Sequence, residues 1–271
     1  MMPSHDLDDL GAWIVKCRPA VFDIETAREA GRPVTEWTVV PSYRTDLMAA
    51  GQRILLWVTG PAGAWPTPGL WGAGTVTGRT FIQDPDGDPG LWLDEARRRR
   101  YNTFVPVDIA LFEVPIDREA LRFDTALTNL EVLVQPKMAN PLWVTCDEYA
   151  RLERYLPVVP DTDDSARAVV ACAYRDLGWI VDDVHARQPG WDLSCSAPGG
   201  QVLHIATRTA PGDRPRVLLT RADVDSAAHD PDWRLAVVQR PWSRPSVTEV
   251  DAETALGLAH PHLYEVNLRN I

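Results

Sequence analysis

The sequence predicts an α+β / α/β chain of two domains, rich in strands with a few helices in the first half and with a small mixed sheet and flanking helices in the second. Three observations carry that prediction. At 271 residues the chain is long enough to bury two modest cores. Residues 157–164, Pro-Val-Val-Pro-Asp-Thr-Asp-Asp, mix proline with acid and read as a linker. Before this linker, apolar runs of strand length lie between Gly- and Pro-rich turns; after it, helical and strand patterns interleave.

Taken in order, residues 13–16 form a short strand with Trp13 and Val15 on one face and Ile14 and Lys16 on the other. Residues 20–30 read as a helix stopped by Gly31 and Pro33. Residues 53–58 are an apolar run bounded by Gly51 and by Gly60-Pro61, hence a buried strand, and place Trp57 in a core. A second strand spans 70–77. The loop between them holds Trp65, Pro66 and Pro68 and is long for a hairpin, so it is expected to line a site. The turn-rich stretch 83–90 breaks the sheet, and residues 91–100 end in four arginines. Residues 104–114 form a strand whose Pro106 demands an edge or a bulge. Thr145-Cys146-Asp147-Glu148 is a capping-box signature for a helix running to about residue 156. The second half reads as a helix at 165–177, strands at 179–184, 190–196, 201–209 and 216–219, a capped helix at 220–228 and a strand at 233–238.

Composition narrows the function. With 27 basic against 38 acidic residues the formal charge is −11, which excludes holding nucleic acid by bulk electrostatics and leaves only local contact. Nearly all basic residues are arginine, the only lysines being Lys16 and Lys137. Cys17, Cys146, Cys172 and Cys195 show neither metal-ligand spacing nor the density of a disulfide scaffold, and read as reduced thiols. The first residues lack the apolar core of a signal peptide, and no apolar run approaches the ~20 residues that cross a bilayer. The expectation is a cytoplasmic protein with no membrane partner, no cofactor and no metal.

Several motifs occur in one order and spacing: Trp13-Ile14-Val15-Lys16, then Trp37, then Tyr43-Arg44 through to Gly60, then Gly-Leu-Trp-Gly-Ala-Gly-Thr-Val at 69–76. Together they resemble the EVE domain of the PUA-like superfamily, to which the YTH readers of methylated adenine also belong. Residues 134–141 resemble the segment before the last helix of that domain, so the resemblance covers 10–157. It implies a PUA-like β-barrel that grips a flipped or unpaired modified base between aromatic rings. Carried over, the base-binding set is Lys16, Cys17, Trp37, Thr38, Tyr43, Trp65, Trp71 and Asp108, with Trp37 as a cage wall and Asp108 accepting from an exocyclic amine. Arg44, Arg97, Arg98, Arg99 and Arg100 are the candidates for phosphate contact, although a run of arginines is also what a solvated helix face looks like.

The second half carries Leu-Gly-Trp-Ile-Val-Asp-Asp-Val, Pro-Gly-Trp-Asp-Leu and His-Ile-Ala-Thr-Arg-Thr. These words resemble the NO VEIN C-terminal domain, a branch of the PD-(D/E)XK nuclease superfamily, over about residues 165–240, with the domain taken as 165–245; residues 246–271 are read as an extension. The resemblance places Asp192 at the metal-binding acid, but Ala206 and Arg208 stand where the family has Glu and Lys. One carboxylate holds Mg²⁺ poorly, so the site is expected to be a catalytically silent remnant, unless ligands have migrated to Asp182, Asp183 or Asp223. His260 and His262 lack a third ligand. The resemblances imply a reader of a modified base, foremost a modified cytosine in DNA, in a restriction, defence or modification-sensing setting. An effector nuclease or other protein would dock on the second half. The alternatives are a Mg²⁺-dependent, modification-dependent nuclease with a rearranged site and an RNA-binding PUA-like protein.

Overall fold

A computed structural model describes residues 6–82, 90–94, 96, 102–157, 162–210, 216–239, 241–242 and 244–260. The elements gather into two sheets, each with its own helices, so the two-part α+β architecture expected from the sequence is present.

In the first half the strands are β1 (Leu10–Cys17), β2 (Val34–Thr38), β3 (Arg53–Val58), β4 (Gly69–Val76), β5 (Phe81–Ile82), β6 (Thr103–Asp117) and β7 (Leu142–Thr145). They order as β2-β6-β4-β3-β1-β7, with β5 also on β6. The β1–β3 pair is parallel and the rest are antiparallel. The two edges of this sheet meet at Asn140, whose carbonyl accepts from the Val40 N–H at 3.1 Å and whose amide donates to the Thr38 carbonyl at 3.4 Å. That contact closes the sheet into a barrel at one end.

Period-two alternation sorts the side chains. Trp13, Val15, Ile54, Leu56, Val105, Val107 and Ile109 point into one buried cluster. Ala12, Ile14, Leu55, Trp57, Leu142 and Val144 point to the other face. There they are covered by α3 (Arg118–Arg122), α4 (Glu131–Val134) and α5 (Cys146–Leu152), the last opened by the expected Thr145/Glu148 capping box. Two short helices, α1 (Ile24–Glu29) and α2 (Tyr43–Leu47), fill the connections. Gln52, fully buried, ties α2 to the core: its Oε1 accepts from the Trp13 indole N–H at 2.7 Å and the Ala49 N–H at 2.8 Å, and its amide donates to the Leu47 carbonyl at 2.9 Å.

Strand β6 is central rather than an edge, so its prolines need another exit. The β2 register steps from Val34 opposite Ile109 to Glu36 opposite Pro106, and the β4 register from Leu70 opposite Ile116 to Gly72 opposite Leu111. Pro106 and Pro115 therefore fall at bulges, where a missing N–H costs the ladder nothing. Strand β6 also lies close on β4. A Cβ on Gly74 would sit 1.7 Å from the Asp108 carbonyl oxygen, so the Gly-Leu-Trp-Gly-Ala-Gly motif is a packing requirement. Gly74→Ala is expected to lose about 1–3 kcal/mol by overpacking, read as a lower urea midpoint. Gly199→Ala, whose Cβ meets nothing within 4 Å, serves as the near-neutral control.

In the second half, α6 (Thr162–Asp176) is followed by β8 (Ile180–Asp183), β9 (Leu193–Ser196), β10 (Val202–Thr209), α7 (Arg221–His229), β11 (Trp233–Gln239), β12 (Ser246–Asp251) and α8 (Ala252–Leu258). The sheet runs β12-β11-β10-β9-β8, with α6 on one face and α7 and α8 on the other. Two expectations are corrected. Residues 216–219 are not a strand: β10 is already flanked by β9 and β11, so this segment only lays Val217 and Leu219 on the apolar cluster under α7. Residue 245 is no boundary either, since β12 pairs with β11 along its whole length. The halves touch where Gly51, at φ +88°, leaves room for the Pro241 carbonyl and Val169.

Candidate functional site

Parallel pairing of β1 with β3 brings their C-terminal ends to one rim of the barrel, where the Thr59 N–H and hydroxyl both donate to the Cys17 carbonyl, at 2.8 and 3.1 Å. A cavity of about 420 Å³ opens there, a size in the range of small-molecule sites. Its apolar wall is aromatic. Trp37, at the end of β2, lies 5.0 Å from Phe22 and 5.5 Å from Trp92, centroid to centroid. Trp92 comes from a segment distant in sequence, pinned against residues 21–23 by the Leu93 N–H to the Val21 carbonyl at 2.7 Å and the Asp23 N–H to the Leu91 carbonyl at 2.9 Å.

The opposite wall is the 136–140 loop, and β1 holds it. The Lys16 ammonium donates to the Pro136 and Met138 carbonyls, and the Lys16 N–H donates to Asn140 Oδ1 at 2.8 Å. Burial, with Arg18 nearby, lowers the Lys16 pKa from the ordinary lysine value. Behind the loop, Arg44 makes a two-pronged pair with Glu131 at 2.7 and 2.8 Å and reaches the Pro141 carbonyl at 3.4 Å; Glu131 also accepts from the Trp143 N–H at 2.8 Å. Among the described residues the cavity lining contains Lys16, Arg18 and Lys137 and no carboxylate.

Of the residues carried over from the sequence, Lys16, Trp37 and Thr38 line this cavity together. The others lie elsewhere. The Cys17 thiol is turned into the barrel core, where burial raises its pKa, and it contributes only its carbonyl. Tyr43 is exposed, beside Arg44. Trp71 is wholly buried, its N–H given to the Thr67 carbonyl at 2.7 Å, and Trp65 stands exposed with its N–H on Glu25. The 60–69 loop therefore lines no part of the cavity. Asp108 sits on the outer side of β6, toward Asp164, Arg167 and Asp183 of the second half, where burial first and Asp164 next raise its carboxyl pKa. Arg44 is committed to Glu131, so the expectation of phosphate contact there is corrected. Arg97, Arg98, Arg99 and Arg100 lie outside the described residues.

Sequence reasoning missed Phe22, Trp92, Arg18, Lys137 and Asn140 as cavity residues. The signal within reach was the resemblance of 134–141 to a family segment. Nothing in the local pattern marks Trp92.

In the second half, Asp192 accepts from the Thr207 N–H at 2.6 Å, its hydroxyl at 3.1 Å and Arg208 at 3.0 Å. The other arm of Arg208 pairs with Asp223, which also accepts from the Thr220 N–H at 2.7 Å at the start of α7. The guanidinium thus stands between the two carboxylates, and the set does not fit a divalent cation. Asp182 pairs with Arg187 and Asp183 with His185, and the described residues contain no group of three or more side chains able to hold a metal. Nor do they contain a helix long and apolar enough to cross a membrane.

No family model and no curated protein matches the chain. Solved structures do align with about half of it. A Pseudomonas syringae protein is 19% identical over 53% of this chain and 98% of its own, with a TM-score of 0.39. A hypothetical protein from Leishmania major is 18% identical over 55% and 96%, with a TM-score of 0.39. Human THYN1, solved in complex with DNA containing 5-methylcytosine, is 14% identical over 55% and 99%, with a TM-score of 0.37.

Proposed function

We propose that this protein reads a modified base in DNA, foremost a modified cytosine, by taking one base out of the stack into the cavity at the barrel rim. The observation that carries the reading is the cavity itself: about 420 Å³, aromatic on one side through Trp37, Trp92 and Phe22, peptide-lined on the other, and free of carboxylates among the described residues. Aromatic faces hold any base by stacking, and polar groups at the ring edge supply identity. Here the edge groups are Thr38, Thr59, Asn140 and the loop carbonyls, which take the place first given to Asp108. The order of motifs shared with the EVE domain supports the same reading.

The second half, in this proposal, does not cut. Arg208 supplies, from within the chain, the positive charge that a nuclease of this type takes from metal, and it fills the space between the acids. A panel of duplexes carrying cytosine, 5-methylcytosine, 5-hydroxymethylcytosine or N6-methyladenine, with matched RNA, tests both statements. In the presence of Mg²⁺ the full chain is expected to bind a modified-cytosine duplex at least tenfold tighter than the plain one and to leave it intact. Equal affinity across the panel overturns the reader, a preference for the RNA arm moves the activity to RNA, and Mg²⁺-dependent cleavage lost in Asp192→Ala restores the nuclease alternative.

A further inference from the structure

The cavity's charge does not follow from the chain's. A protein of formal charge −11 repels a polyanion at long range, so strand binding needs a local source of positive charge. Twenty-seven basic residues less two lysines leave 25 arginines, yet both lysines of the chain, Lys16 and Lys137, line this one cavity, and Arg18 joins them. Lys16 is spent on the Pro136 and Met138 carbonyls. Arg18 and Lys137 are exposed, and among the described residues neither has an ion-pair partner. They approach the mouth from different elements, Arg18 where the chain leaves β1 and Lys137 on the loop opposite. The Lys16 and Asn140 bonds fix that loop to β1, so the backbone positions from which the two cations reach out are held relative to each other.

Resting on the reader proposed above, we infer that Arg18 and Lys137 are the phosphate grip of this site, holding the backbone on either side of the nucleotide whose base enters the cavity. Such contacts carry no sequence information; they place the strand so that the base can be tried against the aromatic wall. The grip gives an acidic protein a local hold on DNA, and it moves phosphate contact away from Arg44, which is committed to Glu131.

The test is fluorescence anisotropy of the full chain with 5-methylcytosine and plain duplexes at several salt concentrations. Each of Arg18→Ala and Lys137→Ala is expected to weaken both duplexes alike and to flatten the slope of log K against log salt by about 0.9, the double variant by about 1.8. Arg18→Lys should keep the slope, and Arg221→Ala, an exposed arginine on the second half, should not change it. An unchanged slope in the double variant, with the modified-base preference intact, overturns the grip and leaves the reader standing. A flattened slope in a protein that never preferred the modified duplex keeps the grip and removes the reader. No binding by the wild-type chain at 50 mM salt overturns both.

Discussion

Replacing Arg44 by alanine is expected to cost about 3–5 kcal/mol of stability, because it leaves the Glu131 carboxylate buried without the guanidinium that neutralises it. The side chains of the pair are only 10% and 16% exposed, and the geometry is two-pronged, so little water is at hand to compensate. Hydrogen bonding to Glu131, outweighing the cost of burial, raises the Arg44 pKa, so the guanidinium stays charged. Arg44→Lys should recover only part of the loss, since an ammonium cannot present two parallel donors to one carboxylate. Urea unfolding of the three proteins checks the ranking. The same substitution is expected to loosen the 136–141 segment, because Arg44 reaches the Pro141 carbonyl and Glu131 holds the start of β7 through the Trp143 N–H. An Arg44→Ala protein as stable as wild type would show that water enters the pair freely, contrary to its burial.

Arg44 also shows what was legible in the sequence and what was not. Motif order marked the half of the chain that forms the barrel, and the barrel strands followed from apolar runs bounded by glycine and proline. The most distinctive letters of the motif, however, are structural. Arg44 anchors a loop, Gln52 satisfies three polar groups in the core, and Gly74 admits the backbone of β6. A functional pattern and a packing pattern look alike when both demand one residue type. Asp108 illustrates a signal that was present but unused: Val107 and Ile109 both point into the barrel, so the residue between them points out. Trp92 carried no such signal, because its place on the cavity depends on a bridge to Phe22, seventy residues earlier, and on no periodicity of its own.

The two tryptophans of the cavity separate fold from recognition. Trp37 is 1% exposed and belongs to the barrel cluster, so Trp37→Ala should lose about 3–5 kcal/mol of stability together with binding. Its effect on affinity therefore mixes two causes. Trp92 is only partly buried, and its backbone stays pinned by bonds from Asp23 and Leu93 whatever side chain it carries. Trp92→Ala is thus expected to leave a cooperative melt while weakening the modified duplex by about 1–3 kcal/mol, roughly tenfold to a hundredfold, the worth of one stacking wall. Because the proposed phosphate grip is untouched, the salt slope should stay at the wild-type value, so the variant is expected to lose selectivity and keep the nonspecific term. Anisotropy with modified and plain duplexes, run beside urea unfolding, reads all three quantities. If Trp92→Ala folds and still prefers the modified duplex as wild type does, the aromatic wall is core packing alone, and the base must be read somewhere other than this cavity.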